Sequence, residues 1–281
     1  ANGTVGSQVI ANATATGEDQ VTPSIATLTD GSFVVSWANA TTSDIKLQQF
    51  SAANASAIAS NVTVAAADGY LQSVAALSNG SYIVAWDSYA DGKVNFRLGT
   101  SSSVSTTIDQ SNNVPPRIAP LSNGFVIVSD VYNSGTNKYG LVAGRYSNAG
   151  ALQGSTFDVN TQSGNQYAPS IATLSDGGFA VAWTSETVDQ IYNGIAGRRF
   201  DASGTAVDTN EFQINQFRAK DQSFPAITAL ANHGFATAWN QQADNSSYPL
   251  AEVDVVTRAF NAVTTTPAAT LSDRKSTRLN S

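Results

Sequence analysis

The chain has 281 residues with 14 Lys and Arg against 21 Asp and Glu, a net charge of −7, only 12% charged residues, and no Cys or Met. Absence of Cys removes disulfides, zinc-thiolate sites and thiol nucleophiles together, and an acidic surface disfavours nucleic acid. No apolar run approaches the roughly 20 residues needed to span a bilayer, so membrane insertion is not expected either.

A related phrase recurs five times, of the form (Pro)-x-(Ile/Val)-x-x-Leu-x-(Asp/Asn)-Gly-x-(Phe/Tyr)-x-Val-x-Trp. Its copies end at Trp37, Trp86, Ser129, Trp183 and Trp239, which are 49, 43, 54 and 56 residues apart. That period matches one four-stranded propeller blade. The first copy follows an orphan segment, Ser7 to Asn12, that has the character of a fourth strand. Each copy reads as a short apolar strand, a turn, and a second strand in which Phe33, Val35 and Trp37 alternate with Val34 and Ser36. Asp30-Gly31, Asn79-Gly80, Asn123-Gly124 and Asp176-Gly177 are expected to form two-residue hairpin turns. Both faces of the second strand are apolar, so it is expected to lie between two sheets, bulky face against small face.

Third strands are expected at 45–50, 94–98, 140–146, 191–200 and 252–260, and fourth strands at 61–65, 104–109, 156–160 and 211–215. The fifth copy has no fourth strand of its own. The fold class is therefore all-β, a propeller of four-stranded antiparallel blades at 23–66, 72–110, 116–161, 169–216 and 225–262. Strand 7–12 is expected to complete the last blade and close a five-bladed ring within a domain 1–262; the alternative is part of a larger propeller. Residues 263–271 read as linker. Residues 272–281, with Arg274, Lys275 and Arg278, resemble a translated sequencing adapter, and without them the body carries 11 cations and 20 acids, or −9.

The fourth copy carries Ala196-Gly197-Arg198-Arg199-Phe200-Asp201-Ala202-Ser203-Gly204 and then Glu211-Phe212-Gln213-Ile214-Asn215. With the Pro-Ser-Ile-Ala-x-Leu-Ser-Asp-Gly-Gly-Phe phrase, this resembles a repeat of very large secreted bacterial proteins that act as adhesins and often carry haemolysin-type calcium-binding segments. The resemblance spans about residues 7–262. It implies a secreted or cell-surface location and further domains in the same long chain as partners. The glycine-rich calcium nonapeptide is missing, and Thr184 to Asp189 stands where such repeats are Asp and Gly rich.

Antiparallel order puts the tight turns on one end of the blades and the long connections on the other, and variable loops on a rigid scaffold are where binding resides. Five of nine tyrosines, Tyr70, Tyr89, Tyr132, Tyr167 and Tyr248, fall in long connections. With Asp130 and Asn240 they make a candidate glycan site, because rings stack on sugar faces while amides and carboxylates take hydroxyls. Asp87 and Asp91, with Glu186 and Asp189, are the candidate ligands for calcium as a loop-ordering ion; no other cofactor is expected. His233, the only histidine, stands where other copies have a turn Gly and is read as a turn residue. The expectation from sequence is a non-enzymatic, adhesin-like module binding glycans or another surface polymer through its long loops. The alternatives are an enzyme acting on polysaccharide through carboxylates of that face, and a structural spacer without soluble ligand.

Overall fold

The computed structural model describes residues 8–12, 17–99, 101, 103–109, 115–189, 191–217, 220–242 and 253–260. Among them there is no helix, and 19 strands form five antiparallel sheets. Two compact units make up the chain, Ala1–Asp158 and Val159–Ser281. The first contains β1 (Gln20–Thr27) to β4 (Val62–Ala65), β5 (Gly69–Ala76) to β8 (Ser105–Asp109), and β9 (Arg117–Leu121) to β12 (Phe157–Asp158), each a sheet in sequence order. The second contains β13 (Gln166–Thr173) to β16 (Phe212–Gln213), and a three-stranded sheet of β17 (Gln222–Ala229), β18 (Phe235–Gln242) and β19 (Val253–Phe260). These are sheets of the propeller-blade type, and strand alternation supplies their stacking.

In the first unit the bulky row Tyr82, Val84 and Trp86 of β6 (Tyr82–Ser88) packs with Val34 and Ala38 of β2 (Phe33–Asn39). The opposite row of β6, Ile83 and Ala85, packs with Phe125 and Ile127 of β10 (Gly124–Asn133). In the second unit Ala180 and Ala182 of β14 (Phe179–Ser185) meet Phe235 and Trp239. β6, β10 and β14 are thus buried on both sides, while β2 and β18 each keep one row only partly buried, and Trp86 and Trp183 are fully buried. Within a sheet, the first residue of the second strand stacks on the last aromatic of the third: Phe33 on Phe50 at 5.1 Å, Phe125 on Tyr146 at 5.3 Å, Phe179 on Phe200 at 5.0 Å and Phe235 on Phe260 at 4.8 Å. These pairs lock the tight-turn end, since stacked rings add stability beyond their burial.

Sheets are also tied to one another through arginines. Arg97 donates to Thr63 O and Val64 O, Arg198 to Val159 O, and Arg258 to Ile214 O, in each case a carbonyl in or beside the fourth-strand segment of the preceding copy. The register sets Arg97 opposite Val84, Arg198 opposite Val181 and Arg258 opposite Thr237, one position of the blade in three copies.

Three expectations are corrected here. The Asp-Gly turns of the first and fourth copies and the Asn-Gly turn of the second are not two-residue loops: Thr27 pairs with Phe33, Ala76 with Tyr82 and Thr173 with Phe179, and the Leu28 N–H bonds Ser32 O across the first of them. Only the glycine is left-handed (Gly31 φ 82°, Gly80 φ 84°, Gly177 φ 90°), whereas a two-residue type I′ turn needs both central residues so. The third strand expected at 191–200 begins at Gly194, as β15 (Gly194–Phe200). And residues 8–12 form no strand, so the last sheet keeps three strands among the described residues. Fourth strands are weakly specified: β12 and β16 are held by two residue pairs each and arrive through the short turns after β11 (Lys138–Ser147) and β15. A strand delivered from the far end of the chain would add a long loop closure to the same small gain.

Candidate functional site

In copies two and three the residue after the Trp position is an aspartate, Asp87 and Asp130, where the others have Ala38, Thr184 and Asn240. Asp87 continues the row Ile83, Ala85 of β6, and Ser129 continues the row Phe125, Ile127 of β10 that packs against it. The third copy therefore has lost its indole where the neighbouring strand presents a carboxyl. Asp87 and Asp130 are 2% and 1% exposed. Neither oxygen of Asp87 has a hydrogen-bond partner. Burial, and then the charge of Asp130, push the Asp87 carboxyl up to about 8. Desolvation and a like charge act in the same direction, so Asp87 is an acid held protonated at neutral pH. A carboxyl of this kind is poised to donate a proton, the property required of a general acid.

Two residues beyond each aspartate stands an exposed tyrosine, Tyr89 and Tyr132. Tyr132 lies on the same face of β10 as Asp130 and donates to Asn137 Oδ1, with its ring 5.2 Å from that of Tyr139. Asp68 braces the loop after Asp87, accepting from Trp86 Nε1 (3.3 Å), Ser88 Oγ (2.7 Å) and the Ala90 N–H (2.9 Å).

The proposed sugar and calcium residues are distributed otherwise. Tyr70 lies on β5, Tyr167 is half-buried on β13, Asn240 is exposed on β18 paired with Ser223 and Val255, and Tyr248 lies outside the described residues. Asp91 accepts from Lys93 N–H (3.0 Å) and Asn95 Nδ2 (3.3 Å), closing its own turn. Glu186 accepts from the Asn165 N–H (3.0 Å) and Nδ2 (2.6 Å), and Asp189 from Gln213 Nε2 (3.1 Å) and Asn215 Nδ2 (3.2 Å). Among the described residues no three His, Cys, Asp or Glu side chains converge as a metal site would require. These contacts give calcium no support: Asp91, Glu186 and Asp189 brace loops, and Asp87 continues an apolar row.

His233 is a turn residue as expected, left-handed at φ 62°, with Nδ1 2.9 Å from Ser175 Oγ. Sequence reasoning separated Asp87 from Asp130, assigning one to metal and the other to ligand. The signal that joins them is the coincidence of an acid after the Trp position with the loss of the Trp in the next copy.

No family model and no curated protein matches the chain. Solved structures do share its fold. The α-L-arabinanase of Penicillium chrysogenum, complexed with arabinobiose, is 8% identical, with 79% of this chain and 77% of that one covered at a TM-score of 0.55. An α-L-arabinofuranosidase of Fusarium graminearum, in complex with an iminosugar inhibitor, is also 8% identical, with 83% and 80% covered at 0.56. Hydrazine synthase of Kuenenia stuttgartiensis is 12% identical, with 85% of this chain and 62% of that one covered at 0.55. The expectation of a non-enzymatic adhesin-like or lectin-like module is corrected by these likenesses, whose named members are enzymes and whose first two are enzymes of arabinose-containing sugars.

Proposed function

We propose that the chain is a polysaccharide-cleaving glycoside hydrolase in which Asp87 is the general acid and Asp130 its ionised partner. The observation that carries this reading is a pair of buried carboxyls at corresponding positions of neighbouring second strands, near enough that the charge of Asp130 adds to burial in keeping Asp87 protonated, since glycoside hydrolysis uses two carboxyls of which one is held as the acid. Asp87 donates its proton to the glycosidic oxygen as the bond to the anomeric carbon breaks, and the leaving sugar departs as an alcohol. Water adds to that carbon and gives its proton to the Asp130 carboxylate. Asp87 lies one residue from the end of β6 and Asp130 three residues inside β10, both beneath the surface, so the loop after Ser88 and the tip of the β10–β11 hairpin must part to admit the sugar, and Tyr89 and Tyr132 are placed to stack on it. The likeness to arabinan-degrading enzymes supports an arabinose-containing polymer as substrate. Such a polymer does not cross membranes, which supports work outside the cell.

The test is release of reducing ends from linear arabinan and from a panel of other neutral polysaccharides, with Asp87→Asn and Asp130→Asn alongside wild type. Each variant is expected to lower kcat by at least about 100-fold, the usual contribution of a positioned acid or base. A wild-type protein inactive on every polymer, or an Asp87→Asn variant as active as wild type, sinks the reading.

A further inference from the structure

We propose that the Val159–Ser281 unit carries a polysaccharide-binding platform of its own, built from Tyr192, Phe217 and Phe224 with acceptors from Glu186 and Asp221. This inference rests on the carbohydrate reading of the chain, and deepens it by naming residues, other than the Asp87 and Asp130 pair, that hold a polymer. Four large apolar side chains in the long connections and inner strand of this unit face water: Ile191 is 79% exposed, Phe217 64%, Phe224 60% and Tyr192 40%. Single exposed apolar residues are ordinary, but several in one set of loops mark a binding surface.

Backbone bonds hold these loops together. Asn193, next to Tyr192, receives the Gln222 N–H on its carbonyl (2.9 Å) and donates its own N–H to Asp221 Oδ1 (3.0 Å). Phe217 O is fixed by Asn215 Nδ2 (2.8 Å), and the Phe224 N–H is fixed by Thr184 Oγ1 (3.1 Å). Tyr167 lies within the fields of both Glu186 and Asp221, which, after burial, hold its phenol above the ordinary value. Rings and carboxylates are thus gathered at one end of two sheets, on loops braced against each other.

Phe224 sits at a bulge of β17 with φ 54°, and its counterparts at the bulges of β1 and β13 are Thr22 (φ 51°) and Ala168 (φ 53°). The left-handed bulge residue before proline is a device of the architecture, filled by a small side chain in the other two cases. A phenyl group there leaves most of its surface in water, and an aromatic kept exposed on a strained bulge is explained by what it binds. Flat apolar rings beside carboxylate acceptors suit the alternating apolar faces and hydroxyls of a sugar chain.

The experiment is affinity electrophoresis through gels containing linear arabinan, or each polymer of a neutral panel, using the full chain. Wild type and Asp87→Asn are expected to be retarded alike, since binding needs no hydrolysis. The Tyr192→Ala/Phe217→Ala double variant is expected to bind at least about tenfold more weakly while it cleaves a short aryl arabinoside as wild type does; these rings are exposed, so the melting temperature serves as the folding control. Retardation of the double variant equal to wild type overturns the platform, as does a wild type retarded by no polymer. Retardation without hydrolysis leaves the platform standing and removes the enzyme reading, so the two failures are told apart.

Discussion

A carboxyl that is buried without a hydrogen bond is costly in its charged form, and Asp87 is such a group, raised from the ordinary 3.8 to about 8 in the folded chain. The folded state therefore holds this proton over a range in which the unfolded state has released it. Stability falls as pH rises between about 4 and 8, by up to about 1.4 kcal/mol per pH unit from this residue, and changes no further above 8. Asp87→Asn removes the titration and keeps the shape. Urea midpoints at pH 5 and pH 8 are expected to differ more for wild type than for the variant, with the variant the more stable at pH 8; equal pH dependence would show that Asp87 is not the titrating group. In the active protein the same proton is the one donated, so the rate of hydrolysis is expected to decline on an alkaline limb near 8. The residue types of this pair were visible in the sequence, but their pairing was not. Whether an aspartate after the Trp is solvated or buried depends on the strand opposite, and only the stacking of β6 on β10 decides it.

Strands β2, β6, β10, β14 and β18 were legible because their alternation is dense on both faces, and the structure returns them within a residue or two. Third strands were legible from the aromatic that ends them. Adjacency to that aromatic singles out Arg145 and Arg199, each one residue before it. Pairing to the second strand puts Arg258 with Arg198 and Arg97 instead, while Arg199 turns to Asp208 with Nη2 2.7 Å from Oδ1. A one-residue difference in register reverses the face a side chain occupies, so Arg198, two residues before the aromatic like Arg258, and Arg199, one before it, serve different partners. The consequence is measurable. Arg198 is 9% exposed and donates to the carbonyls of Val159 (3.0 Å), Asp208 (3.1 Å) and Thr209 (3.1 Å), with its guanidinium 5.5 Å from the Phe200 ring centre. Arg198→Ala strips three carbonyls of their donor and is expected to cost about 3 kcal/mol in urea unfolding. Lys at this position offers one ammonium in place of a planar fork and is expected to recover less than half of that loss. An Arg198→Ala variant with unaltered stability would mean that the clamp between copies carries no load.

Charge acts over the whole molecule, and it bears on which polymer the chain takes. Acids outnumber cations by 21 to 14, and the residue types that would hold a polyanion are scarce. Five of the ten cations among the described residues are committed to the scaffold: Arg97, Arg198 and Arg258 to backbone carbonyls, Arg199 to Asp208 and Lys46 to Asp44 at 2.8 Å. The long connections present Asp91, Glu186 and Asp221 alongside Lys93, Lys138 and Lys220, so they offer a polyuronate or sulfated glycan no cationic surplus. Like-charge contacts weaken association and make it rise with salt, whereas contact with an uncharged sugar chain is indifferent to screening. Retardation by arabinan is therefore expected to be unchanged between 50 and 500 mM NaCl, on the order of the range in which surface electrostatics are screened. Polygalacturonate and heparin are expected to give no retardation at 50 mM. Strong binding to either polyanion at low salt, lost at high salt, would point to a cationic surface that the placed arginines do not supply. It would also move the substrate from neutral to acidic polysaccharide while leaving the Asp87 and Asp130 chemistry as it stands.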